Sequence, residues 1–174
     1  MRSTKRARYE YVGPVGLRAH VNGTARFRVE TAESVVEWAR TQPKGGALVA
    51  TFIVDAKGKL WLADRRSEHI SCARGGRVRA AGEIEFQVAK NKVEVVGATN
   101  QSTGFCPRVE SWEALKVALD AVGVAHLSYW TAAFEFRRCE QCGELNVVKD
   151  EWFVCSNCDE DLPDVWNIGN EQRA

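Results

Sequence analysis

Six cysteines occur in the 174 residues, and four of them form two Cys-x-x-Cys pairs, Cys139/Cys142 and Cys155/Cys158, with twelve residues between the pairs. Two residues between thiols let a tight knuckle aim both sulfurs at one point, and two knuckles supply the closed tetrahedral four-cysteine set of structural zinc. Gly143 directly follows the first pair and permits the left-handed turn that such a knuckle uses. Cys72 and Cys106 lie far apart in unlike contexts, so the pattern favours metal over disulfides and a reducing, cytoplasmic setting. The expectation is one Zn2+ per chain on Cys139, Cys142, Cys155 and Cys158. A closed set leaves no open position for water, so this metal is read as structural.

A second group of chemistry-bearing residues sits in the middle of the chain. His69-Ile70-Ser71 is followed by Gly75-Gly76-Arg77-Val78, then Ala80-Ala81-Gly82-Glu83, then Asn100-Gln101-Ser102-Thr103-Gly104-Phe105-Cys106-Pro107. If the ends of these segments converge, His69 and Glu83 form a candidate catalytic acid–base pair, with Ser71, Asn100 and Ser102 as candidate ligand-binding residues. The plainer reading is a structural His–Glu hydrogen bond and a polar loop that caps the following helix. Cys106 has no base beside it in sequence to activate it as a nucleophile, and a second metal site on His69, Cys72 and Cys106 is a lesser alternative. Arg65 and Arg66 suit a solvated turn or an anion. His20 and His126 are read as structural.

The spacing of these segments resembles a module of plant IQ-motif (IQM) calmodulin-binding proteins and of bacterial and fungal toxin-like proteins. There the pattern runs roughly H-S-S-F-x-x-G-G-x-V-x-A-A-G-E, a short hairpin, then N-x-S-G-H-Y-x-P. His69, Ser71, Gly75, Gly76, Val78, Gly82, Glu83, Asn100, Ser102 and Pro107 fall on motif positions, within about residues 50–125. Gly104 stands where the module has histidine and Phe105 where it has tyrosine. Chemistry that used that histidine is missing here, and the resemblance then implies a shared binding pocket. With its ribbon included, the chain also resembles small uncharacterised actinobacterial zinc-ribbon proteins. A bacterial protein of microbial conflict or defence is what these resemblances imply.

The elements that must position these groups are legible in outline. Leu17–Val29 reads as a hairpin about Asn22-Gly23, a pair that tolerates positive φ. A helix follows, capped by Thr31, with Val35, Trp38 and Ala39 inward, and Pro43 and Gly45-Gly46 end it. Residues 47–54 form a buried strand that Asp55-Ala56-Lys57-Gly58 turns into Lys59–Ala63. Two further strands lie at about 84–88 and 92–96, after a tight bend at 80–82 whose small residues allow close backbone approach. Leu115, Ala118, Leu119 and Val122 share one face of a second helix, capped by Ser111 and closed by Gly123. Ala132–Arg138 reads as a last strand. Leu145–Val148 and Glu151–Val154 read as a ribbon hairpin, with Trp152, Phe153 and Trp166 covering or docking it. The fold class is α+β, a mostly antiparallel sheet with two helices followed by a C-terminal zinc ribbon. The divisions are a basic arm at 1–16, the α+β domain at 17–136, the ribbon at 137–166 and a tail at 167–174.

Charge narrows the function classes. Residues 1–28 carry seven basic side chains against Glu10 alone, while residues 139–174 carry nine acids against Lys149 and Arg173. An acidic ribbon repels phosphate, so it points to stabilisation or protein contact. No apolar run approaches the roughly 18 residues of a membrane span, and no apolar stretch follows the basic start, so neither a membrane nor export is expected. Three readings stand: a protein- or ligand-binding module, a small transferase or hydrolase centred on His69 and Glu83, and nucleic-acid binding through the basic N-terminus.

Overall fold

The computed structural model describes residues 6–18, 21–44 and 47–173. His20, the Gly45-Gly46 pair, and Arg2 and Lys5 of the basic arm lie outside them. The chain runs Ala7–Tyr9 (β1), a single helical turn at Val15–Arg18 (α1), Arg26–Arg28 (β2), Ala32–Arg40 (α2), Leu48–Asp55 (β3) and Leu60–Asp64 (β4). A helical turn at His69–Cys72 (α3) leads to Val78–Ala89 (β5) and Lys92–Ala98 (β6). A 3-10 turn at Val109–Ser111 then enters Trp112–Val122 (α4), followed by Glu135–Arg138 (β7), Leu145–Val148 (β8) and Glu171–Arg173 (β9).

The fold is α+β. Seven strands form one antiparallel sheet in the order β2-β4-β3-β5-β1-β9, with β6 also paired to β5, and β7 and β8 form a separate two-stranded sheet. β3 is central and apolar side chains lie against both of its faces. This explains why its sequence is a continuous apolar run and not an alternation. On one face Phe52, Leu62, Ile84, Phe86 and Val95 pack against α2, α4 and the Trp112 and Trp130 rings. On the other, Ile53, Ala63, Val78 and Ala81 pack against Tyr9, Phe105 and the Ile70 and Cys72 side chains of α3. Thr31 caps α2 through a reciprocal pair of bonds with Ser34, and Gly123 closes α4 in the left-handed conformation at φ +73°.

Several expected elements take other forms. The hairpin at 17–29 is absent among the described residues: Leu17 lies in α1, and Arg26–Arg28 pairs with β4, Phe27 facing Leu62 in register. That distant partner lets Phe27 stack on Trp38 at 6.1 Å, and an isolated two-stranded hairpin offers no such burial. The bend expected at Ala80-Ala81-Gly82 is strand interior, because β5 runs unbroken for twelve residues. Ser111 does not cap α4: its side chain makes no cap bond, and the 3-10 turn replaces it. Beside α2 and α4, the single turns α1 and α3 were unforeseen. Tyr9, read as part of the basic arm, lies in the sheet, and β9 of the tail pairs with β1.

The ribbon differs in one strand. β8 pairs with β7, Phe136 opposite Val147, and not with Glu151–Val154, which contributes only the bridges Lys149↔Trp152 and Val154↔Asp161. Asp150 and Glu151 both have positive φ, 51° and 57°, so the chain curls there instead of extending. Within Ala132–Arg138, expected to lead into the ribbon, Glu135–Arg138 forms β7 of the ribbon sheet, while Ala132 bridges to Thr99 of the body. No helix among the described residues is long and apolar enough to cross a membrane.

Candidate functional site

The four cysteines converge. Their sulfurs lie within 4.8 Å of one another, Cys139 and Cys158 at 3.6 Å and Cys142 and Cys155 at 3.6 Å. Metal–thiolate bonds of about 2.3 Å in a tetrahedron place sulfurs about 3.8 Å apart, whereas a disulfide closes to about 2.0 Å. The geometry fits a metal ion and not cystine.

Two knuckles with the same backbone pattern build the site. Cys139 N–H donates to Glu144 O at 2.8 Å, and Cys155 N–H donates to Glu160 O at 2.8 Å. Gly143 N–H returns to Cys139 O at 2.9 Å, and Asp159 N–H returns to Cys155 O at 3.0 Å. Gly143 and Asp159 both sit in the left-handed region, φ 79° and 61°. Asp159 is therefore the counterpart of Gly143, a role its side chain does not announce in sequence. Asn146 was also unforeseen. Its Nδ2 points at Cys155 Sγ (3.5 Å), and its Oδ1 accepts from Ser156 N and Oγ, both at 2.9 Å.

The sulfurs are tuned unequally. Burial raises the Cys155 thiol, but N–H donors from Asn157 and Cys158 and the Asn146 amide outweigh it and bring the pKa to about 6. The Glu144 N–H lowers Cys142. At Cys158 a bond from the Glu160 backbone lowers the pKa, yet burial and the three neighbouring sulfurs carry it up to about 12. Four sulfurs packed this closely cannot all ionise without a cation among them. Such a set supplies ligands for a divalent metal and releases protons as it binds.

The ribbon's own small core holds Cys139, Val148, Cys155 and Leu162, with Phe153 against it. A further apolar cluster joins ribbon to body, where Cys106, Phe136 and Ile168 are buried against Phe134, Leu145 and Trp166. Asparagine side chains lock the same junction. Asn100 receives Phe134 N–H at 2.7 Å and donates to Phe134 O at 2.8 Å. Asn167 does the same for Arg138, at 2.8 Å each way. Asn170 Nδ2 bridges Glu10 O and Phe105 O. Phe153 and Trp166 thus pack in the ribbon and at its junction, as expected, whereas Trp152 is 70% exposed.

The central segments lie close together, with His69 beside Gly82 of β5. His69 Nε2 lies 2.9 Å from Gly82 O, and since a carbonyl only accepts, Nε2 carries the proton. Burial lowers the His69 pKa, with the Gly82 bond opposing. Glu83 follows Gly82 on β5, half-buried and paired in register with Thr51. Among the described residues no bond joins the His69 and Glu83 side chains, so the expected His–Glu hydrogen bond is replaced by one to the backbone. A Cβ on Gly82 would lie 1.8 Å from Thr99 O, which shows how closely the 99–107 loop crosses β5.

Asn100 is fully buried, with both ends of its amide committed to backbone. Ser71 is buried on α3, and Ser102 Oγ is buried without a partner. A Cβ on Gly104 would come within 2.7 Å of the Tyr11 ring, so the N-terminal segment packs beside that position. A crevice of about 290 Å3 at the ribbon junction is lined by Pro107–Glu110, Phe134–Arg137 and Asp164–Trp166. A groove of about 420 Å3 runs between the end of α2 and β5. None of His69, Glu83, Ser71, Asn100 or Ser102 lines either one. His126 bridges Asp120 Oδ1 (2.8 Å) and Leu127 O (2.6 Å). No protein family, curated protein or solved structure matches this chain.

Proposed function

We propose that this chain is a protein-binding module in which one structural zinc ion fixes an acidic ribbon against an α+β body and presents the ribbon's tip to a basic partner. Four thiolates and no open position suit a metal that holds shape, and zinc is the metal that this donor set and geometry favour. A reducing compartment keeps those thiols available.

The observation that carries the reading is Trp152. It stands 70% exposed on a ribbon that buries Val148 and Leu162 and packs Phe153 against them, and it is the one exposed aromatic side chain among the described ribbon residues. A large aromatic left in water beside Asp150, Glu151, Asp159, Glu160 and Asp161, all exposed, suits an anchor residue within a field that attracts a basic surface.

Site-specific photocrosslinking in the native host tests this. A crosslinker at position 152 should yield a discrete protein adduct that disappears when Asp150 and Glu151 are changed to Asn and Gln. The same group at Val117, exposed on the far side of α4, should not give that adduct. Identical adducts from both positions, or none from 152, would refute the reading.

A further inference from the structure

A strip of arginines on the body is fixed in place without being neutralised. The Arg26 guanidinium lies 3.8 Å from the Trp61 ring centroid and donates to Cys72 O at 2.9 Å. Arg74 donates to Val21 O at 3.2 Å. Arg79 donates to Ala56 O at 3.1 Å, beside the β3–β4 turn. Each is tethered by a backbone carbonyl, which sets its direction and leaves its charge intact. The pairing of Tyr9 with Val78 brings Arg8 next to Arg79, with Arg6 beyond it. Arg8 Nε is buried and meets no acceptor.

Counter-charge is scarce along the strip. Among the described residues none of these five arginines takes part in an ion pair. Asp55 lies between the two halves and its charge favours both Arg26 and Arg79, but its oxygens accept from Lys57 N, Lys59 N and Trp61 Nε1 and form no ion pair with either arginine, so one carboxylate faces five guanidinium groups. The arginines also feel one another. Burial first, then the charge of Arg74 against the opposing Cys72 and Asp55, lowers the Arg26 pKa, and burial first, then Arg8 and Arg6 against the opposing Asp55, lowers that of Arg79. Like charges held together destabilise a sheet unless an anion joins them.

We propose that Arg6, Arg8, Arg79, Arg26 and Arg74, with Arg26 stacked on Trp61, form a surface that binds the phosphate backbone of nucleic acid. Guanidinium forks match pairs of phosphate oxygens, and arginine holds that geometry where lysine does not. The three tethered forks, Arg26, Arg74 and Arg79, suit phosphates at a fixed covalent spacing better than the laterally mobile headgroups of a membrane. The inference uses residues distinct from those of the ribbon, so it stands or falls apart from the protein-partner reading.

The test is fluorescence anisotropy of a labelled single-stranded oligonucleotide with the zinc-loaded full chain, titrated from about 50 to about 200 mM salt. Binding should weaken as salt rises. Arg74→Gln and Arg79→Gln should each weaken it about threefold or more at low salt and lower the salt slope by about one. Lys116→Gln, which removes a charge from α4, should leave it unchanged, and Arg79→Lys should fall between Arg79→Gln and the unaltered chain. Thermal melts establish that each variant is folded. No binding at the lowest salt, binding indifferent to both arginine substitutions, or tighter binding to anionic lipid vesicles at equal phosphate would overturn the proposal.

Discussion

Burial makes His69 a neutral side chain, and its carbonyl partner on β5 needs only the Nε2 proton. Its folded pKa lies below the ordinary 6.5, so in acid the unfolded chain takes up a proton that the native chain refuses. Stability therefore falls as pH drops below about 6.5, down to the depressed folded pKa, and is level below that. Denaturant midpoints compared between about pH 7.5 and 5.5 should drop less in His69→Gln than in the unaltered chain. An equal drop in both would show that the ring titrates normally. Cys72 behaves in a related way, since burial raises its thiol pKa to about 12. It should resist iodoacetamide until denaturant is added, as peptide mass spectrometry would reveal. At this scale the sequence was uneven. The spacing of Cys139, Cys142, Cys155 and Cys158 states their joint use, because two residues between thiols leave a knuckle few geometries. Asn100 states nothing comparable: a buried amide reads alike as ligand or clamp, and its partner Phe134 lies 34 residues away.

Among the elements, the crossing of β5 by the 99–107 loop is the tightest join. The 1.8 Å approach of Thr99 O to a Cβ at Gly82 leaves no rotamer by which alanine could escape, since the obstacle is backbone. Gly82→Ala should cost about 3 kcal/mol or more in equilibrium unfolding. Asn100→Ala should cost about 2–3 kcal/mol by leaving the part-buried N–H and C=O of Phe134 and the buried Pro107 carbonyl without their partner. Values near zero would mean that the loop can move away. β3 and β4 were legible because an unbroken apolar run, then an Asp-Ala-Lys-Gly turn, has one simple reading. The hairpin about Asn22-Gly23 was misread because its turn chemistry is local, while the preference of Phe27 for Leu62 and Trp38 is not. Likewise Glu151–Val154 has strand-like side chains, but the positive φ of Asp150 and Glu151 diverts it.

In the whole molecule, the ribbon is a structural staple. It docks through Phe136 and Ile168 onto Cys106, while Asn100 ties Phe134 to the body, Asn170 ties the last residues to the body and Asn167 ties them to β7. Removing the metal should loosen that junction first. Cys106, raised to about 12 by burial, should then become reactive along with the four clustered cysteines, while Cys72, buried on α3, stays protected. Alkylation of Cys106 before chelation would contradict docking. The α+β class and its ribbon were readable from patterning and spacing. The separation of an acidic ribbon from an arginine-lined body was visible as charge asymmetry, but the strip itself joins β1, the β3–β4 turn and the residues around Arg26 and Arg74, which only the folded chain brings together.

X-ray absorption at the zinc edge, with metal analysis of the purified, reduced chain, bears most directly on these conclusions. The prediction is one zinc per chain, bound by four sulfurs at about 2.3 Å and lost in Cys155→Ser. A chain without stoichiometric metal, or a coordination shell containing nitrogen or oxygen ligands, would contradict it.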